Sequence, residues 1–120
     1  MKKGFTLVEI MIVVAIIGII IAIAVPAFLR ARENSRGRAC QENLTKIDGA
    51  KEQLALEDKL GQGDPEPATT DLYGNSKYVK NTPTCPAGGT YTIGTIGTDP
   101  TCDYSVVGDY VVHSIAAIAD

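Results

Sequence analysis

From Ile10 to Leu29 the chain reads IMIVVAIIGIIIAIAVPAFL, twenty consecutive residues without a charge. At helical rise such a run spans about 30 Å, the thickness of bilayer hydrocarbon. It must be satisfied by lipid or by other copies of itself. The remaining ninety or so residues already have a core of their own to build and are a poor place to bury it. With 120 residues in all, there is room for this segment and one small head. The net charge of −3 and the absence of Trp exclude a basic nucleic-acid surface and a large aromatic stacking platform.

A basic start, Met1-Lys2-Lys3-Gly4, precedes the apolar run. The pattern is that of an exported chain, but the run is longer than a secretory signal requires and no A-x-A-like cleavage site follows it. A plain single-pass anchor accounts for everything except Glu9. A carboxylate in a membrane helix costs about 2.5–3.5 kcal/mol at mid-bilayer and less towards the interface, so its partner has to be named. In sequence only Lys2 and Lys3 are near. Cleavage after Gly4 would create another candidate, an α-amine on Phe5, one turn from Glu9 on the same helix or beside Glu9 of a second copy.

The stretch KGFTLVEIMIVVAIIGIIIAIAVPAFLRAR closely resembles the N-terminus of type IV pilins and of the pseudopilins of type II secretion systems. The resemblance implies that Gly4 ends a leader (residues 1–4) removed by a prepilin peptidase, and that Phe5 becomes the methylated first mature residue. It implies that Glu9 pairs with the N-terminal amine of an adjacent subunit, and that Pro26 bends the long helix. Locally, Pro26 removes a backbone hydrogen bond and crowds the preceding turn, and Gly18 adds give. The implied product is a homo-oligomeric helical filament, built by an assembly machinery from an inner-membrane pool whose heads lie outside, and ending as an extracellular or periplasmic fibre. No enzymatic activity, cofactor or nucleic-acid partner is expected. Four arginines at 30–38 against two lysines in the leader would, by the positive-inside rule, keep the head in the cytoplasm, and the resemblance overrides that rule.

Residues 5–29 are thus read as the transmembrane and assembly half of a helix, and residues 30–60 as its amphipathic half. Cys40, Leu44, Ile47, Ala50 and Leu54 recur at three and four, with Leu60 near the end, and Glu42 and Lys46 form an i,i+4 pair. From Phe5 to Leu60 this helix would measure about 84 Å. Its charge is polarised, +3 over residues 30–38 and −2 over residues 41–60. Most of these charges read as a solvated face, and between staggered copies the two zones would set register. Gly61-Gln62-Gly63-Asp64-Pro65 supplies a stop.

Residues 61–120 form the head. A turn-rich segment containing a short helix or turn around 70–80 leads to strands at Thr90–Thr95, Cys102–Val107 and Tyr110–Ile115, the last two joined by a tight turn at Gly108-Asp109. The fold class is α+β, a small antiparallel sheet laid on the stripe of the long helix, with a short apolar end, AAIAD. Cys85 and Cys102 bound a Gly/Thr-rich ribbon and are expected to close a disulfide worth about 3 kcal/mol in an oxidising compartment. Cys40 is then buried on the helix or paired with one of the other two. Zinc is disfavoured by the spacing and by His113 being the sole imidazole, and no metal is assigned. Asp99, Asp103 and Asp109 read as turn residues rather than calcium ligands, and Asn43-Leu44-Thr45 matches a glycosylation pattern by accident of lying in a helix.

Two functions follow. One is a polymerising structural subunit of a pilus or secretion pseudopilus. The other is a monomeric membrane-anchored extracytoplasmic binding module. Asp71-Leu72-Tyr73-Gly74-Asn75 is faintly similar to a major-pseudopilin loop, but the Trp and the following Pro are missing.

Overall fold

The computed structural model describes residues 2–116. The apolar end expected to pack or fray lies, apart from Ala116, outside them. The chain divides into two compact units, residues 1–32 and 33–120, and each is taken by itself. Helix α1 (Leu7–Asp58) contributes to both. It is followed by a single turn of helix, α2 (Thr69–Leu72), and by strands β1 (Tyr91–Thr92) and β2 (Thr101–Cys102). The class is α+β, as expected.

In the first unit α1 is apolar on every face and none of its hydrophobic stretch is buried. Pro26 lies within the helix. Beyond the helix's own local backbone, nothing among the described residues comes within 4 Å of where a Cβ on Gly18 would stand.

In the second unit α1 buries one stripe: Gly37, Cys40, Leu44, Ile47, Ala50, Lys51, Leu54 and Ala55. The three-and-four spacing puts these residues on one face, and all the apolar positions anticipated up to Leu54 lie there. Ile47, Ala50 and Leu54 pack with Leu72 and Ile93, while Cys40 and Leu44 pack with Cys85. Glu42 and Lys46 pair at 2.8 Å as expected. The helix stops before the glycines. Lys59 adopts φ 55° and the Leu60 amide donates to the Ala55 carbonyl at 2.9 Å, the six-to-one bond of a helix-ending motif usually built on glycine.

The sheet is smaller than the pattern predicts. It consists of Tyr91↔Cys102 and Thr92↔Thr101, antiparallel, with one isolated bridge from Thr101 to Ser114. Three corrections follow. The first expected strand ends at Thr92 because its next backbone groups are bonded to side chains: the Ile93 amide donates to Glu66 Oε1 at 3.2 Å, and the Ile93 carbonyl accepts from Lys51 Nζ at 3.0 Å. The second expected strand, Cys102–Val107, is met only at Cys102, since β2 is Thr101–Cys102 and residues 103–107 form no strand. The third strand, Tyr110–Ile115, does not form. Its chain lies against α1 instead, where Asn34 Oδ1 accepts the Val111 amide at 3.1 Å and Gln41 Nε2 donates to the Val112 carbonyl at 2.8 Å. Between these two, Gly37 leaves the room that lets Val111 approach, since a Cβ there would stand 2.5 Å from the Val111 oxygen. Gly108 does turn the chain, at φ 95°, but joins no pair of strands.

Lys51 belongs to the same account. Counted along the sequence it is one charge of a solvated face. In the fold it is fully buried, its ammonium donating to the carbonyls of Ile93 and Thr98 with Asp48 Oδ1 at 3.8 Å. Burial pushes the Asp48 carboxyl up, and Lys51 opposes that shift without cancelling it.

Candidate functional site

The expected processing and assembly residues lie at the start of α1. Lys2 to Thr6 carry no regular structure, and Phe5 is 86% exposed. A Cβ on Gly4 would meet nothing within 4 Å, so the Gly4–Phe5 peptide is open to approach. Thr6 is the residue before the first helical position. Its amide donates to Glu9 Oε2 at 2.8 Å, and the Glu9 amide donates to Thr6 Oγ1 at 3.3 Å. This is a reciprocal capping box, in which two of the helix's unpaired amides are satisfied by two side chains.

Glu9 thus has a partner within its own chain besides the candidates Lys2, Lys3 and the α-amine of Phe5, namely the Thr6 amide. Thr6-Leu7-Val8-Glu9 fits the S/T-x-x-E spacing of a capping box, so the signal was present in the sequence. The positive end of the helix dipole also favours an anion in the first turn. Together these lower the cost of holding a carboxylate at the start of an apolar helix. Both capping residues lie downstream of the Gly4–Phe5 bond, so the box does not depend on the leader. The bond from Thr6 engages Oε2, and a cation can approach the other oxygen of the same carboxylate. Pro26 lies seventeen residues further along α1, well outside this cap.

Cys85 and Cys102, the pair expected to bridge, stand in the structure as free cysteines, as does Cys40. What the fold does bring together is larger than that pair. Cys40 from α1, Cys85 from the turn after Pro83, Cys102 from β2 and His113 from the strap along α1 place their ligand atoms within 4.8 Å of one another. Cys85 Sγ lies 3.4 Å from His113 Nδ1. Sequence spacing gave no hint of this cluster because its members come from four separate segments. The one usable signal was Cys40, whose position on the apolar stripe obliged it to face the head.

The environments of these groups differ. Burial pushes the Cys40 thiol up to about 12, against a hydrogen bond from Tyr91. Burial would also raise Cys85, but amide donors on Ala87 and Gly89, with the neighbouring thiols, outweigh it and bring it below the ordinary range. Cys102 is raised by burial, against the Tyr104 amide. His113 is lowered by burial, which favours the neutral ring. Asp103, one of the turn aspartates, accepts the Thr90 amide on Oδ1 at 2.6 Å.

Comparison with known proteins bears on the first of these two sites. Residues 1–25 match the prokaryotic N-terminal methylation motif. The type IV major fimbrial protein FimA of Dichelobacter nodosus is 40% identical over 82 residues, covering 67% of this chain and 49% of that protein. The type IV major pilin protein PilA of Myxococcus xanthus is 51% identical over 43 residues, 36% of this chain and 20% of PilA. The chain therefore spans about half the length of the first of these relatives, and less of the second. No solved structure matches it.

Proposed function

We propose that this chain, whose N-terminal segment carries the prokaryotic N-terminal methylation motif, is a non-enzymatic structural subunit of the type IV pilin family that polymerises through that segment into a pilus-like filament. The observation that carries this reading is the junction of an open Gly4–Phe5 peptide, a capped Glu9 one turn later and an apolar helix with no partner in its own unit. A prepilin peptidase cuts after Gly4, and the new amine on Phe5 is methylated. The methylated amine still carries a proton and a positive charge at neutral pH.

In the membrane pool, Glu9 is held by the Thr6 amide and the helix dipole. On docking, its second oxygen takes the charged amine of a neighbour's Phe5, so neither charge is left alone in hydrocarbon. The apolar helices then bundle as the filament interior while the heads remain outside. Pro26 loosens the helix locally and lets that interior stretch. Residues 5–29 and 30–60 act as the assembly and head-bearing halves of one helix, and the FimA and PilA relatives favour a pilus over a secretion pseudopilus.

The test is Glu9→Ala in the native host. Filaments sheared from cells should be lost while the membrane pool persists, and intact mass should show Met1–Gly4 removed and one methyl group gained. A variant that still builds filaments, or filaments that retain the leader, would overturn the reading in favour of a monomeric anchored binding module.

A further inference from the structure

The thiol and imidazole cluster in the head plays no part in the assembly scheme, and four of its features point the same way. The first is its composition: three thiols and one imidazole converge at one point, buried or half-buried. A disulfide uses two of these groups and leaves a thiol and an imidazole without a role. A closed tetrahedral metal site uses all four.

The second feature is spacing. Zinc–sulfur bonds of about 2.3 Å and zinc–nitrogen bonds of about 2.0–2.1 Å give tetrahedral edges of about 3.5 Å between sulfur and nitrogen and about 3.8 Å between sulfurs. The Cys85–His113 separation of 3.4 Å already has the sulfur–nitrogen length, and no pair of ligand atoms is more than 4.8 Å apart, about 1 Å beyond the sulfur–sulfur edge.

The third is the shell around the sulfurs. Ala87, Tyr91 and Tyr104 pack against the cluster that holds Cys40 and Cys85. Asn43 fixes the Tyr91 ring in that shell, its Nδ2 donating both to the Thr84 carbonyl at 3.0 Å and to the Tyr91 hydroxyl oxygen at 3.2 Å. Surrounding groups held in this way orient the thiolates that bind a metal.

The fourth is a cradle. Gly89 is the only residue type its position admits, because a Cβ would stand 2.6 Å from Cys102 Sγ and 2.8 Å from Tyr104 Cβ. The turn Cys85-Pro86-Ala87-Gly88-Gly89 wraps the two sulfurs closely, and Gly88, at φ 91°, allows its bend.

We propose that Cys40, Cys85, Cys102 and His113 bind a structural zinc ion through three thiolates and His113 Nδ1. On binding, the three thiol protons pass to solvent, four zinc–ligand bonds form, and the neutral imidazole leaves the site with a net charge of −1. No electron is transferred. The ion ties α1, the turn after Pro83, β2 and the C-terminal strap to one point in a head whose two strands are each two residues long. So small a sheet needs such a staple. The proposal is independent of the assembly reading.

The test uses the full-length chain in detergent micelles, purified without chelator or added reductant. Metal analysis should find one equivalent of zinc. Cobalt exchanged into the site should give the visible bands of a tetrahedral ion and a thiolate charge-transfer band. Cys40→Ser and His113→Asn should each abolish them, while His113→Cys restores them. Zinc removal should lower the melting temperature of the wild-type head and open the thiols to alkylation. Peptide mapping that finds Cys85 joined to Cys102 would overturn the proposal. So would cobalt spectra unchanged by Cys40→Ser, or a metal-free chain whose three thiols alkylate at once.

Discussion

Thr6 and Glu9 close the start of α1 on each other, the Thr6 amide on the Glu9 carboxylate at 2.8 Å and the Glu9 amide on the Thr6 hydroxyl at 3.3 Å. One acidic residue is thereby given two tasks that separate experimentally. It ends the helix within a single chain, and in the proposed filament it binds a second chain.

Thr6→Ala removes the hydroxyl but leaves the carboxylate. The first helical turn should lose about 1 kcal/mol, read as faster hydrogen exchange of the Leu7–Ile10 amides in micelles. Filament yield should fall far less than in Glu9→Ala. Equal losses of filament in the two variants would mean that Glu9 acts through the cap alone.

Gly37→Ala places a methyl group 2.5 Å from a backbone oxygen that cannot swing aside. The strap at Val111 and Val112 should lift from α1, with a destabilisation of about 1–3 kcal/mol, measured by thermal unfolding in detergent. The Val111 amide should lose its protection from exchange. Gly49, where a Cβ would meet nothing within 4 Å, is the control: Gly49→Ala should leave stability unchanged or raise it slightly.

Lys51→Met keeps the bulk of the stem and deletes the ammonium. The carbonyls of Ile93 and Thr98 then lose a donor in a buried setting, a cost of about 1–3 kcal/mol. Chemical denaturation should show the loss, and amide shifts should change across residues 93–98. Lys51→Arg, with a longer and planar head, should not restore the wild-type spectrum.

Tyr78 donates its hydroxyl proton to Glu57 Oε2, and this bond, with the charges of Glu57 and Asp58, lifts its ionisation to about 12. The folded state therefore holds the phenolic proton longer than the unfolded chain does. The stabilisation is complete below about pH 10 and is lost as the pH rises towards 12. In Glu57→Gln the accepting oxygen is neutral, so the Tyr78 ring-carbon titration followed by NMR should move back towards 10. An unmoved curve would place the cause elsewhere.

The helix and its buried stripe were legible in the sequence because periodicity reports burial directly: Cys40, Leu44, Ile47, Ala50 and Leu54 are where the three-and-four pattern puts them. The strands were not, for a physical reason. A strand pattern such as Thr90–Thr95 or Tyr110–Ile115 describes which way side chains point, but a ladder also needs free backbone groups. Here Lys51, Glu66, Asn34 and Gln41 take those groups first. Lys51 itself was misread because a lysine between Ala50 and Leu54 looks like solvent-facing charge until its acceptors are known. The thiol cluster was hidden for a related reason. Disulfide logic looks for a pair along the chain, whereas the fold gathers its members across 73 residues, from Cys40 to His113.

Among the described residues the head is held chiefly by side chains of α1, and this fixes the length of that helix as firmly as its composition. Asn34, Gly37 and Gln41 engage Val111 and Val112, Cys40 faces Cys85, Cys102 and His113, and Lys51 holds the Ile93 carbonyl. Inserting or deleting one residue among them would rotate the later ones about 100° from their partners. In lineages descended from this sequence, change by indel between Asn34 and Lys51 should therefore be rarer than change by substitution, and length variation should collect in the loops that no helix side chain grips.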